Sequence, residues 1–393
     1  MKTALTTILL ALTSFSLIAQ QNIFNRTEIV SPEINKDNTV TFRLKGPEAS
    51  KVTISGSWMP SKGFESPSEE MHKGDSGVWT YTTEALQPEL YRYSFSVNGV
   101  RTTDPSNAFA IRDVATLSNI FLIEGGKADN YKINDVPHGT VAYRWYDSPG
   151  NDKKRRLAVY TPAGYENSEE NYPVLYLLHG IGGDEEAWLG SGRAKQIMDN
   201  LIAQGKVEPM IMVMPNGNVS QQAAPGEASD GFKRPTFMLP HTMDGKFEET
   251  FIDIIKFVES NYRTVEKKEG RAIAGLSMGG YHTAYISMNY PNTFDYVGLF
   301  SPAINVNNNQ PKISVAYQNI DEKLKAQLDN GYKLYWIAVG KNDMQMLLDG
   351  IQKYRKDLDA IDMKYAYKLT EGGHTWENWR DYLVEFSQSL FKK

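Results

Sequence analysis

The pentapeptide Gly275-Leu276-Ser277-Met278-Gly279 constrains the fold more than any other stretch of this chain. It lies between an apolar run, Arg271-Ala272-Ile273-Ala274, and a helix-like run from Gly280 to Ile286. A G-x-S-x-G pattern in that setting predicts a sharp strand-to-helix turn that presents a serine hydroxyl at the edge of a sheet. Glycines are needed there because the strained backbone packs too closely to leave room for a Cβ. A serine hydroxyl is a weak nucleophile by itself, so the pattern demands a base and an orienting acid elsewhere.

The surrounding sequence supplies the sheet. From residue 141 to 393, apolar runs such as Val174 to Leu178, Met210 to Met214, Tyr296 to Phe300 and Leu334 to Val339 alternate with amphipathic stretches. Phe251, Ile254, Ile255 and Val258 share one helical face, as do Trp376, Trp379, Leu383, Phe386 and Leu390. Alternating β and α units predict an α/β domain with a mostly parallel sheet and reactive groups at the carboxyl ends of its strands. Residues 24–125 read differently. Short alternating runs, among them Tyr91, Tyr93, Phe95 and Val97 before the turn pair Asn98-Gly99, predict a small β-sandwich. The polar, turn-rich residues 126–140 read as a linker.

On such a sheet the three reactive groups run in chain order serine, acid, histidine. His374, in Gly372-Gly373-His374-Thr375-Trp376, is the one histidine beyond the helix that follows Ser277, and it falls between a late strand and the last helix. It is the expected base. His282 lies on the helix after Ser277, and His179 precedes the serine; both read as structural. Asp343 directly follows the strand Leu334 to Val339 and is the expected acid, although an N-cap role fits the same position. Two backbone N–H groups should stabilise the oxyanion: Met278, next to the serine, and Ile181 in the loop His179-Gly180-Ile181-Gly182-Gly183.

Bulk properties narrow the partners. A formal net charge of −5 argues against nucleic acid or an anionic membrane, and the absence of cysteine excludes disulfides, thiolate catalysis and zinc-thiolate sites. Lys2 followed by the apolar run Ile8 to Ile18 and Ala19 predicts a signal peptide over residues 1–19 and an exported product with no membrane insertion. The chemistry expected of Ser277, Asp343 and His374 requires no metal and no cofactor.

The run Leu177 to Gly183 with Trp188, the Gly275 to Gly280 segment, Gly340-Lys341-Asn342-Asp343 and His374-Thr375-Trp376 resemble carbohydrate esterase family 1 and the esterase D-like group. That resemblance implies an α/β-hydrolase over the larger part of the chain. The front region, with Trp58, Gly77-Val78-Trp79 and Asp104-Pro105-Ser106-Asn107, is similar to the immunoglobulin-like carbohydrate-binding module family 48. Trp58 and Trp79 are expected in the core of that sandwich more readily than on sugar rings. The resemblance implies Ser277 as nucleophile, His374 as base and Asp343 as its acid, with Met278 and Ile181 as oxyanion donors. Trp188, Phe237 and Trp376 are the expected substrate contacts, Phe237 from the long loops of residues 216–245. Feruloyl groups on xylan are the leading substrate. An acetyl xylan esterase, an enterochelin-type esterase needing a basic pocket (Lys233-Arg234) and a non-catalytic carbohydrate-binding protein are the alternatives.

Overall fold

The computed structural model describes residues 29–60, 67–229, 231–232, 236–304 and 314–392. The expected signal peptide and the Lys233-Arg234 pair lie outside them. One eight-stranded sheet organises the larger part of the chain. Its strands are β1 (Thr140–Ser148), β2 (Lys153–Thr161), β3 (Val174–Leu178), β4 (Ile211–Pro215), β5 (Arg271–Leu276), β6 (Tyr296–Phe300), β7 (Leu334–Gly340) and β8 (Ala366–Thr370). The spatial order is β1-β2-β4-β3-β5-β6-β7-β8. β1 pairs antiparallel with β2, and β2 with β4; the six strands from β4 to β8 run parallel. Every residue of β3, β4 and β6 is buried, as expected where helices cover both faces of a parallel sheet.

The covering helices are α1 (Ala194–Ala203), α2 (Lys246–Asn261), α3 (Met278–Asn289), α4 (Ile320–Asn330), α5 (Gln345–Ala360) and α6 (Trp376–Ser387). Phe247, Phe251 and Ile254 of α2 join Tyr281 and Ile286 of α3 and Ile351 of α5 on one face of the sheet. Ile197 and Leu201 of α1 join Leu383 and Phe386 of α6 on the other. Register then places the functional edge. Leu178 pairs with Gly275, Leu276 with Phe300, and Gly340 with Thr370. The loops after β3, β5, β7 and β8 therefore emerge together at the carboxyl end of the sheet.

The front region forms two facing antiparallel sheets around Val40, Phe42, Ile54, Tyr93, Phe95 and Phe121. Asn98 and Gly99 take φ of 49° and 86°, the left-handed pair that a tight hairpin requires. Both tryptophans of the sandwich are packed. Trp58 stacks on Phe42 at 5.3 Å, and the Trp79 indole N–H donates to the Gly46 carbonyl at 2.9 Å.

Residues 126–140 are not a free linker. Gly126–Asn130 is a 3-10 helix, and Ala128 and Tyr131 are fully buried. Asn200 of α1 donates to the carbonyls of Asn130 at 2.9 Å and Lys132 at 3.0 Å, and Asp199 accepts the Gly139 N–H at 2.8 Å. Leu90 of the sandwich shares the apolar cluster of Tyr131, Ala158, Leu175 and α1. Local polarity misleads here because one buried ring and one alanine anchor an otherwise polar segment. Among the described residues no helix is long and apolar enough to cross a membrane.

Candidate active site

β5 ends at Leu276 and α3 begins at Met278, leaving Ser277 alone to make the turn with φ 53° and ψ −115°. That left-handed conformation is strained for a residue with a Cβ, and the neighbours hold it in place. The Ser277 N–H donates to the Phe300 carbonyl at 2.8 Å, and its own carbonyl accepts from Ala303 N–H at 2.9 Å and Tyr281 N–H at 3.0 Å. The flanking glycines permit the close approach. A Cβ on Gly279 would lie 2.5 Å from the Leu178 carbonyl oxygen, and one on Gly275 would lie 2.4 Å from that of Gly279.

The loop after β8 brings His374 to this turn, with Nε2 3.0 Å from Ser277 Oγ. Nδ1 sits 2.9 Å from Oδ1 of Asp343, an ion-pair separation whose N–H alignment falls short of a linear hydrogen bond. Such contacts commonly tighten when substrate binds. The Asp343 carboxylate is shielded from solvent, and Oδ1 also accepts the Met344 N–H at 2.7 Å. The two loops are pinned together. Asn342 N–H donates to the Gly372 carbonyl at 2.9 Å, and a Cβ on Gly340 would lie 2.5 Å from that same oxygen. Asn378 of α6 fastens the histidine loop further by accepting the Gly373 N–H at 3.2 Å and donating to the Glu371 carbonyl at 2.7 Å. Trp379 meets the His374 ring edge-on at 4.9 Å.

The loop after β3 completes the enclosure. A Cβ on Gly180 would lie 2.5 Å from Leu276 Cδ1 and 3.4 Å from Ser277 Cβ, so this loop rests against the serine. His179 shapes it. Its Nδ1–H donates to the Gly180 carbonyl at 2.7 Å, and Nε2 accepts the Gly217 N–H at 2.8 Å. Those two bonds specify a neutral tautomer, and burial depresses the imidazole pKa to about 4. His179 is therefore a structural brace. His282 is buried too, turned to Glu248 at 2.8 Å. Ile181 N–H has no intramolecular acceptor among the described residues, and Met278 N–H is one of the donors that a helix leaves unmatched at its start. Met278 directly follows Ser277, and Ile181 directly follows the Gly180 that rests against it.

Residues 148–390 match the family model described as "Putative esterase". The chain belongs to this esterase family. Over 369 residues, or 92% of the chain, it is 31% identical to an endo-1,4-beta-xylanase/feruloyl esterase of Xylanibacter ruminicola, and it spans 46% of that relative's length. Among solved structures it is similar to a ferulic acid esterase of Anaeromyces mucronatus, with TM-score 0.54, 21% identity, and coverage of 68% of this chain and 96% of that one. It is also similar to the enterobactin esterase of Shigella flexneri, with TM-score 0.63, 17% identity, and coverage of 89% and 92%. The esterase is an α/β-hydrolase preceded by a small β-rich domain.

Two of the expected substrate contacts are largely buried. Trp188 is 1% exposed, donates its indole N–H to the Leu178 carbonyl at 3.0 Å, and packs edge-on against Phe300 and Trp376. Trp376 is 6% exposed and lies between Trp188 and Trp379. Both rings pack into the apolar cluster of the esterase. Phe237 is exposed, together with Met238. Trp379 and Asn378, which touch the histidine or its loop, escaped the sequence reading. The helical spacing around Trp376 marked a buried face without showing which ring met His374. Among the described residues no group of three or more metal-ligating side chains is arranged to hold an ion.

Proposed function

We propose that this esterase is an exported serine carboxylesterase that removes feruloyl groups from plant cell-wall xylan. Ser277, His374 and Asp343 act as nucleophile, base and orienting acid. The observation that carries the reading is the 3.0 Å contact between Ser277 Oγ and His374 Nε2, with Asp343 behind the imidazole. Ser277 Oγ attacks the ester carbonyl while Nε2 takes its proton, and the buried Asp343 carboxylate stabilises the imidazolium. The tetrahedral oxyanion rests on the N–H groups of Ile181 and Met278. Nε2 then returns the proton to the departing sugar oxygen as the C–O bond breaks, leaving an acyl-serine. Water repeats the sequence and frees the acid.

The xylanase/feruloyl esterase relative supports the aromatic acyl group and the polysaccharide. The charged-then-apolar opening of the sequence supports export. A polyanionic siderophore is disfavoured by the formal net charge of −5. Initial rates on methyl ferulate, acetylated xylan and a catecholate siderophore, run in parallel, test the assignment. Methyl ferulate should be preferred by orders of magnitude. Preference for either other ester would replace the feruloyl reading, and inactivity on all three would favour a binding protein.

A further inference from the structure

The front sandwich reaches the loop that stabilises the oxyanion. Strands Ala110–Asp113 and Thr116–Leu122 form a hairpin whose two-residue turn is Val114-Ala115. Val114 has φ 54°. A β-branched residue is a poor occupant of that region, and tight hairpins place Asn or Gly there. Such a residue persists only where its surroundings over-determine it.

The surroundings of Val114 are the loop itself. A Cβ on Gly182 would lie 2.7 Å from Cγ2 and 2.9 Å from Cγ1 of Val114, so both methyl groups press on the bare Gly182 backbone. Two residues earlier, Arg112 reaches across the same junction. Its Nη2 lies 2.7 Å from Asp184 Oδ2 and 3.5 Å from Glu186 Oε2, and Asp184 is only 3% exposed. From the opposite side, Asn218 Nδ2 donates to the Gly183 carbonyl at 2.8 Å and His179 holds the Gly180 carbonyl. Residues 180–184 are thus clamped between two domains, with Ile181 inside the clamp.

We propose that Arg112 and Val114 of the sandwich are positioning residues for the reaction, holding residues 180–184 so that Ile181 N–H faces the oxyanion. This rests on the serine-esterase reading above. The domain boundary is then part of the catalytic apparatus.

Two variants of the full chain test it. Val114→Gly removes the methyl groups and relieves the positive-φ strain, so the hairpin itself should be no less stable. Arg112→Ala removes the ion pairs beside a cavity of about 240 Å³, where water can replace the guanidinium. Losing an oxyanion donor outright costs about a hundred- to a thousandfold in turnover, so a loosened one should lower kcat about tenfold with KM nearly unchanged. Affinity for an aryl boronic acid should fall by a similar factor. In that adduct a B–O bond forms to Ser277 Oγ, whose proton passes to His374, and the tetrahedral boron mimics the oxyanion centre. Arg112→Lys should recover part of both losses. The proposal is overturned if both variants keep kcat and boronate affinity within twofold of wild type, or if their losses fall on KM alone. A wild type inert towards aryl esters, or Ser277→Ala turning them over at the wild-type rate, would instead defeat the underlying reading.

Discussion

The guanidinium of Arg380 on α6 meets the carboxylate of Glu89 in the sandwich at 2.8 Å, across 291 residues of chain. Both side chains are almost fully buried, at 2% and 4% exposed. Arg380 also donates to the carbonyls of Ser191 at 2.8 Å and Leu90 at 3.1 Å, and Glu89 pairs with Lys127 at 2.7 Å. Removing one partner of a buried pair leaves an uncompensated charge. Glu89→Ala should destabilise the fold by about 3 kcal/mol, near the low end of the usual range because Arg380 keeps its carbonyl partners. Denaturant unfolding of the two proteins checks this, and a loss below about 1 kcal/mol would show that the pair holds nothing together.

Ser277→Ala should abolish turnover of a simple aryl ester while preserving the circular dichroism spectrum and the melting temperature. Ser277 anchors the turn through its backbone bonds, which alanine retains. Residual activity near the wild-type level would remove the serine from the mechanism.

Asp343→Asn probes charge more than geometry. Oδ1 faces both Met344 N–H and His374 Nδ1, so an amide oxygen can take its place and hold the imidazole. The negative charge that stabilises the imidazolium is lost. Turnover should fall by about 10²–10⁴. A rate within a few-fold of wild type would assign the acid to another carboxylate.

His179 should make the fold acid-sensitive. Its folded pKa, about 4, lies below the ordinary 6.5 because burial penalises the imidazolium. The stability it contributes is therefore present above pH 6.5 and is lost as the pH falls through about 4. A shift of this size corresponds to about 3 kcal/mol at most. Unfolding free energies of wild type and His179→Gln, followed from pH 7 to pH 4, should converge as the wild type loses this contribution. Parallel curves would count against a buried neutral His179.

Much of the site is legible in the sequence because strand ends and glycines mark it. The apolar run before Gly275, the strand before Asp343 and the Gly372-Gly373 pair before His374 each fix a side chain to one edge of the sheet. Asn98-Gly99 similarly announces its hairpin. What the sequence conceals has a common cause. Trp188 and Trp376 lie near the motifs, but spacing cannot report how deeply each ring is buried. Tyr131 hides an anchoring ring in a polar segment, and nothing local in Glu89 or Val114 reveals a partner on the other domain. Contacts between distant segments follow from how two finished surfaces meet.

The junction around Leu90, Ala128 and Tyr131 also bears on how the chain unfolds. The front domain keeps a core of its own, but its Leu90 is buried in the neighbour's apolar cluster. Glu89, Arg112 and Val114 tie the front domain to the hydrolase, so the two domains should melt in a single calorimetric transition.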